Sequence, residues 1–183
     1  GALEDLSRDA LREQFGTNVF GWQELTNLAI PVMRRQGYGR IIQNSSVLGL
    51  VSLPFRGAYN ASKYAIEGLS DTMRLELRGT NIYVSLIEPG PITSQFRTNS
   101  IENSVHREKY QGVLNRLNKP GPAAVPFTLP PEAVLDRVIH ALESKQPQPH
   151  YYVTFPTYLF GALRRLLPTR MLDFLLAKSG NNN

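Results

Sequence analysis

Apolar positions recur along this chain with two periods, and each run predicts an element. Ser7 suits a helix cap before Arg8-Asp9-Ala10-Leu11. From about Phe15 to Gln36, Leu25, Leu28, Ala29, Val32 and Met33 recur at helical spacing and are expected to face the core. Gly37-Tyr38-Gly39 reads as the tight loop that ends this helix. Gly39 to Ser46 then runs from glycine through apolar residues into hydroxyl side chains, the mark of a strand reaching a polar edge. A second helical pattern spans about Tyr59 to Leu77, with Tyr64, Ala65, Gly68, Leu69, Met73 and Leu77 as its expected buried stripe. Asn81 to Gly90 reads as a strand halted by Pro89-Gly90. Strand, helix, strand predicts a right-handed parallel crossover, a unit that binds ligands beyond the carboxyl ends of its strands.

The second half is less regular. From Arg97 to Pro131 the chain turns to polar residues, prolines and glycine, with one helix expected over about Ser104 to Leu117. Pro130-Pro131-Glu132 opens a helix to about Leu142, and Tyr151 to Phe155 reads as a last strand. Tyr158 to Leu167 is apolar with a basic step at Arg164-Arg165, and Pro168 to Lys178 follows as a short amphipathic helix with Gly180 as its stop. Such a pattern can lie in a membrane interface, pack on a partner subunit or roof an apolar pocket. Each of these points to an apolar substrate.

Composition narrows the classes. The 183 residues suffice for one domain with a core, and 42% hydrophobic with 19% charged residues is an ordinary globular balance. With no cysteine there is neither a disulfide framework nor thiolate chemistry, which fits a cytoplasmic location. The net charge of +5 comes with no nucleic-acid motif, and none is expected as a partner. No apolar run approaches the roughly 18–20 residues of a membrane span. His106, His140 and His150 are not at metal-ligand spacing, so no metal is expected. No Gly-x-Ser-x-Gly elbow marks Ser46 as a hydrolase nucleophile.

The candidate chemistry lies in Tyr59-Asn60-Ala61-Ser62-Lys63. Tyr59 and Lys63 are four residues apart and share a helix face, an arrangement that ordinary surface helices also show. An ammonium nearby favours a phenolate and lowers the tyrosine pKa from its usual ~10. Ser46 lies thirteen residues before Tyr59, at a strand end. Pro89-Gly90 ends the next strand, so three candidate groups converge on one crevice.

Ser46, Tyr59-x-x-x-Lys63 and Pro89-Gly90-Pro91-Ile92-Thr93 together resemble the short-chain dehydrogenase/reductase family. The texture from Asn44 to Leu50 and from Leu53 to Gly68 is similar to its hydroxysteroid and retinol dehydrogenase branch, and Asn18 matches the family's helix asparagine. The likeness is close over 1–96 and loose beyond. It implies an α/β Rossmann-like fold, a doubly wound parallel sheet in three layers, whose first strands are not represented here. It implies a single incomplete domain: a catalytic part at 1–96, a substrate-covering segment and helix at 97–150, and a last strand with apolar helices at 151–183. Gly37-Tyr38-Gly39 precedes a strand and so is not the family's phosphate-binding turn. The chain is therefore expected to be a piece of a longer reductase.

The resemblance further implies NADP, or NAD, as cofactor and a small apolar carbonyl or alcohol as substrate. Tyr59 would exchange the proton, and Lys63 would lower its pKa and hold the ribose. Ser46 would bind the substrate oxygen, and Asn18 would position a water that connects Lys63 to solvent. Pro89, Gly90, Ile92 and Thr93 would line the nicotinamide, with Ser94 as the alternative to Thr93. A homodimer or tetramer built on the Tyr59 helix is implied, as is peripheral membrane contact through 158–178. Two other readings stand beside the enzyme: a non-catalytic scaffold of reductase fold, and a peripheral membrane protein.

Overall fold

Three parallel strands, β1 (Gly39–Asn44), β2 (Ile82–Glu88) and β3 (His150–Tyr152), lie side by side in that order in the computed structural model, which describes residues 1–95, 112 and 126–181. β1 and β2 pair from Gly39 with Ile82 to Asn44 with Ile87, and β2 pairs Leu86 with His150 and Glu88 with Tyr152. Alternate residues of a strand face opposite ways. Ile41, Ile82 and Val84 accordingly pack with Met73 and Leu77 on one face, where Trp22, Ile30 and Met33 join them. Ile87, Tyr151 and Val153 pack on the other face with Ala141, Val134 and Val138. Helices therefore cover the sheet on both sides, the expected three-layer α/β arrangement.

Ahead of the sheet, α1 (Arg8–Phe15), a π-helical turn (Gly16–Phe20) and α2 (Gly21–Gln36) follow one another without a break. Ser7 caps α1 as expected, its Oγ accepting from the Ala10 N–H at 3.1 Å. Gly37 ends α2 in the left-handed region (φ 80°), a conformation only glycine adopts readily. Helix α3 (Gly57–Glu76) connects β1 to β2, and α4 (Glu132–Glu143) precedes β3. Two helices, α5 (Phe155–Leu166) and α6 (Thr169–Asn181), complete the described chain.

Several expectations need correction. Leu25, Leu28 and Val32 of α2 are exposed rather than buried. The helix carries two apolar stripes, and the one holding Trp22, Ile30 and Met33 meets the sheet, so periodicity alone chose the wrong one. On α3, Met73 and Leu77 are buried as expected, but Gly68 and Leu69 are exposed and Tyr64 and Ala65 only half-buried. Its inner face is instead polar: Asn60, Lys63, Glu67 and Ser70, with Ile66 beside them. The last strand stops at Tyr152, and Phe155 opens α5 with Pro156 in its first turn. Helix α6 runs through Gly180 to Asn181 rather than stopping there. The helix expected over Ser104 to Leu117 lies outside the described residues, apart from Gln111's neighbour Gly112.

The turn after β2 is tightly enclosed. A Cβ at Gly90 would overlap Thr154 Oγ1 and come within 3.1 Å of Thr157 Oγ1, and both threonines are fully buried. Gly90→Ala should therefore destabilise the protein by about 1–3 kcal/mol, as overpacked sites do. Urea denaturation reads this directly, and an unchanged midpoint would contradict the packing.

Candidate active site

The carboxyl ends of β1 and β2 are sewn together past the strands themselves. Ser45 N–H donates to Ile87 C=O and Val47 N–H to Pro89 C=O, each at 2.8 Å. This places Ser46 beside the Pro89-Gly90 turn. Its Oγ accepts from Leu48 N–H at 3.1 Å, the cap of a short 3-10 turn over Val47–Gly49. The amino-terminal half of α3 lies over these strand ends. Asn60 Nδ2 donates to Leu53 C=O at 2.9 Å and Tyr64 hydroxyl to Leu50 C=O at 2.8 Å, fixing the intervening loop to the helix.

Tyr59 and Lys63 face that junction. Lys63 is 7% exposed, and its ammonium donates to Asn44 C=O at 2.7 Å, on the last residue of β1. Its Nζ stands 5.5 Å from the centre of the Tyr59 ring. Burial pulls the lysine pKa down to about 8, with the Glu67 carboxylate acting against that fall. The Tyr59 hydroxyl is hydrogen-bonded to Ser46. Burial raises the phenol's pKa, while the Ser46 hydrogen bond and the Arg56 charge draw it down without prevailing. In this structure Ser46 and Arg56 are the groups that draw the Tyr59 pKa down. The lysine's charge is directed at the strand-end carbonyl.

Asn18 sits in the π-helical turn and donates through Nδ2 to Ser62 Oγ at 3.0 Å. Ser62 Oγ in turn donates to Tyr59 C=O at 2.8 Å. Asn18 therefore reaches α3 through Ser62, a contact that the sequence did not reveal. Single π turns recur at functional sites because they re-aim a side chain. Ile92 pairs with Leu129 in an isolated parallel bridge and packs on the sheet core. Thr93 N–H donates to Leu129 C=O at 3.0 Å, so that backbone donor is engaged inside the chain. The Thr93 side chain is exposed.

Beside this centre, α3, β2 and β3 bring Glu67, Glu88 and His150 together. His150 Nδ1 lies 2.8 Å from Glu88 Oε1 and 3.8 Å from Glu67 Oε2. Burial raises both carboxyl pKa values, that of Glu67 to about 7, while the two carboxylates raise that of His150. Sequence spacing hid this group, because its members come from three separate elements.

A cleft of about 870 Å³ opens on another side of α3, between Leu50–Phe55 and the apolar face of α6, with Arg164 of α5 also lining it. Ala61, Tyr64, Leu172 and Leu176 line it, and Ser46 and Tyr59 do not.

The family model for short chain dehydrogenases matches residues 1–104. The chain belongs to the short-chain dehydrogenase family. An uncharacterized oxidoreductase of Escherichia coli (strain K12), YbbO, is 47% identical over 176 residues, spanning 96% of this chain and 62% of that protein. An NADPH-dependent 3-dehydrocapnine reductase of Ornithobacterium rhinotracheale is 32% identical over 184 residues, 97% of this chain and 65% of its own. Among solved structures, a short-chain dehydrogenase/reductase of Burkholderia phymatum in complex with NAD superimposes with a TM-score of 0.69 at 26% identity, covering 96% of this chain and 62% of that one. The chain thus spans less than two thirds of the length of these family members.

The buried lysine gives this family member a pH signature. Its pKa is 10.5 in the unfolded chain and about 8 in the fold, so between these values the unfolded state binds more protons. Stability from this group therefore rises with pH across that window, and below it the fold carries a penalty on the order of 3 kcal/mol. Relative to Lys63→Met, wild type should gain stability as pH rises from about 8 to about 10.5. A difference that stays flat with pH would contradict the burial of the charge.

Proposed function

We propose that the protein containing this chain is an NAD(P)-dependent oxidoreductase that interconverts an apolar ketone or aldehyde and its alcohol. The observation that carries this reading is the junction of Ser46, Tyr59 and Lys63 at the carboxyl ends of β1 and β2, with the Ser46–Tyr59 hydrogen bond already formed. The names of the relatives, an oxidoreductase and an NADPH-dependent reductase, support it.

The donor set fits the nicotinamide end of such a cofactor. A phenol and an ammonium on adjacent turns suit ribose hydroxyls, and the Pro89-Gly90 turn lies beside Ser46 at the same strand ends. The cofactor, when bound, supplies or accepts the hydride. Tyr59 passes its phenolic proton to the carbonyl oxygen, or takes it back in the oxidative direction. Ser46 donates to the same oxygen as negative charge grows there. Lys63 holds the ribose and keeps a positive charge beside the phenol. Asn18, through Ser62, fixes the helix turn that bears Tyr59 and leads protons from Lys63 toward solvent.

An apolar substrate is supported by Leu172 and Leu176, which α6 turns toward the Leu50–Phe55 loop and α3. Exposed Leu25, Leu28 and Val32 on α2, with Leu69 and Leu75 on α3, support association into a homodimer or tetramer through these helices.

In the full-length protein, Tyr59→Phe should lower turnover of NADPH with a hydrophobic ketone or aldehyde at least ~100-fold. Affinity for NADPH, measured by fluorescence titration, should be preserved. Near-normal turnover in the variant would overturn Tyr59 as the proton carrier. A wild-type protein that binds no nicotinamide nucleotide would favour a scaffold.

A further inference from the structure

We propose that Glu67, Glu88 and His150 form a binding site for a divalent transition-metal ion of the zinc class. The register of β2 against β3 turns Glu88 and His150 toward the sheet face covered by α3, and Glu67 meets them from that helix. One ligand atom from each residue lies within 4.8 Å of the other two. Around a tetrahedral zinc ion, bonds of roughly 2.0–2.2 Å hold ligand atoms about 3.3–3.5 Å apart. The 2.8 Å and 3.8 Å separations from His150 Nδ1 to the two carboxylates bracket that distance.

The surrounding groups are those a metal centre needs. Ser45 Oγ donates to Glu67 Oε1 and orients that carboxylate. His150 Nε2 faces Asp71 Oδ1 at 3.5 Å, the carboxylate–histidine relation that fixes a ligating imidazole's ring and tautomer. Glu88 is fully buried, and among the described residues its Oε2 meets no N–H or hydroxyl donor. A buried carboxylate oxygen without a partner is costly, and a cation among these ligands would satisfy it. Charge points the same way. Glu67, Glu88 and Asp71 gather three carboxylates, while the ammonium of nearby Lys63 is directed at Asn44 C=O. The side chain of His150 is 31% exposed, which leaves a path from solvent and an open coordination position. One imidazole nitrogen with two carboxylates favours zinc over magnesium or calcium, which take oxygen ligands. Bound there, the ion would tie α3 to β2 and β3 one turn beyond Lys63.

The test uses the full-length protein, freed of metal by a chelator and titrated with Zn²⁺ by calorimetry and thermal unfolding. Wild type should take up one equivalent per chain at this site and unfold at a higher temperature. Glu88→Gln and His150→Ala should each bind at least tenfold more weakly. Because either variant can lose the fold, His150→Arg provides a second readout. Its guanidinium places a permanent cation between the carboxylates, so it should stay folded and show no Zn²⁺-dependent rise in unfolding temperature. Wild type that ignores Zn²⁺ would overturn the proposal, leaving the carboxylates to share a proton. A response in His150→Arg equal to wild type would also overturn it, by placing the ion elsewhere.

Discussion

The buried ammonium of Lys63 sets the terms for everything near it. A lysine with 7% exposure needs a fixed acceptor, and the Asn44 carbonyl at the end of β1 provides one at 2.7 Å. That bond fixes how α3 is rotated over the sheet. Once Lys63 points inward, Asn60, Glu67 and Ser70 must follow, because residues three and four apart share a helix face. A helix with so polar an inner surface can pack only where strand-end carbonyls and other buried polar groups receive it. Farther along, Met73 and Leu77 resume ordinary apolar contact with Ile41 and Val84. The same helix thus carries a buried polar face at its start and an apolar core face at its end.

The strands and helices were legible because their signals are local. Alternation and Pro-Gly placed β2 within a residue or two, and Gly37 marked the end of α2 through the positive φ that its position requires. Burial was less legible. Leu25, Leu28 and Val32 form as good a stripe as Trp22, Ile30 and Met33, and only the tertiary placement of the sheet distinguishes them. On α3 hydrophobicity misled for the opposite reason: the buried face was chosen by hydrogen bonding, so a search for apolar positions favoured Gly68 and Leu69, which face solvent.

The site divides along the same line. Ser46, Tyr59 and Lys63 could be placed from strand and helix boundaries alone. The Asn18–Ser62 contact joins residues 44 apart, and the His150–Glu88 contact residues 62 apart. No local pattern announces such pairs. The balance of forces on Tyr59 was hidden too, since it depends on burial, on Ser46 and on Arg56. A tyrosine whose pKa is raised by burial is held in its proton-donating form, the form that carbonyl reduction uses.

The most direct test of this account is the ionisation of Tyr59 itself, read as the ultraviolet difference titration of the full-length protein against its Tyr59→Phe variant. The account predicts a midpoint above that of an ordinary tyrosine, moving higher still in Ser46→Ala because the hydrogen bond that favours phenolate is gone. A midpoint that does not move when Ser46 is replaced would contradict the claim that these two side chains work as one unit.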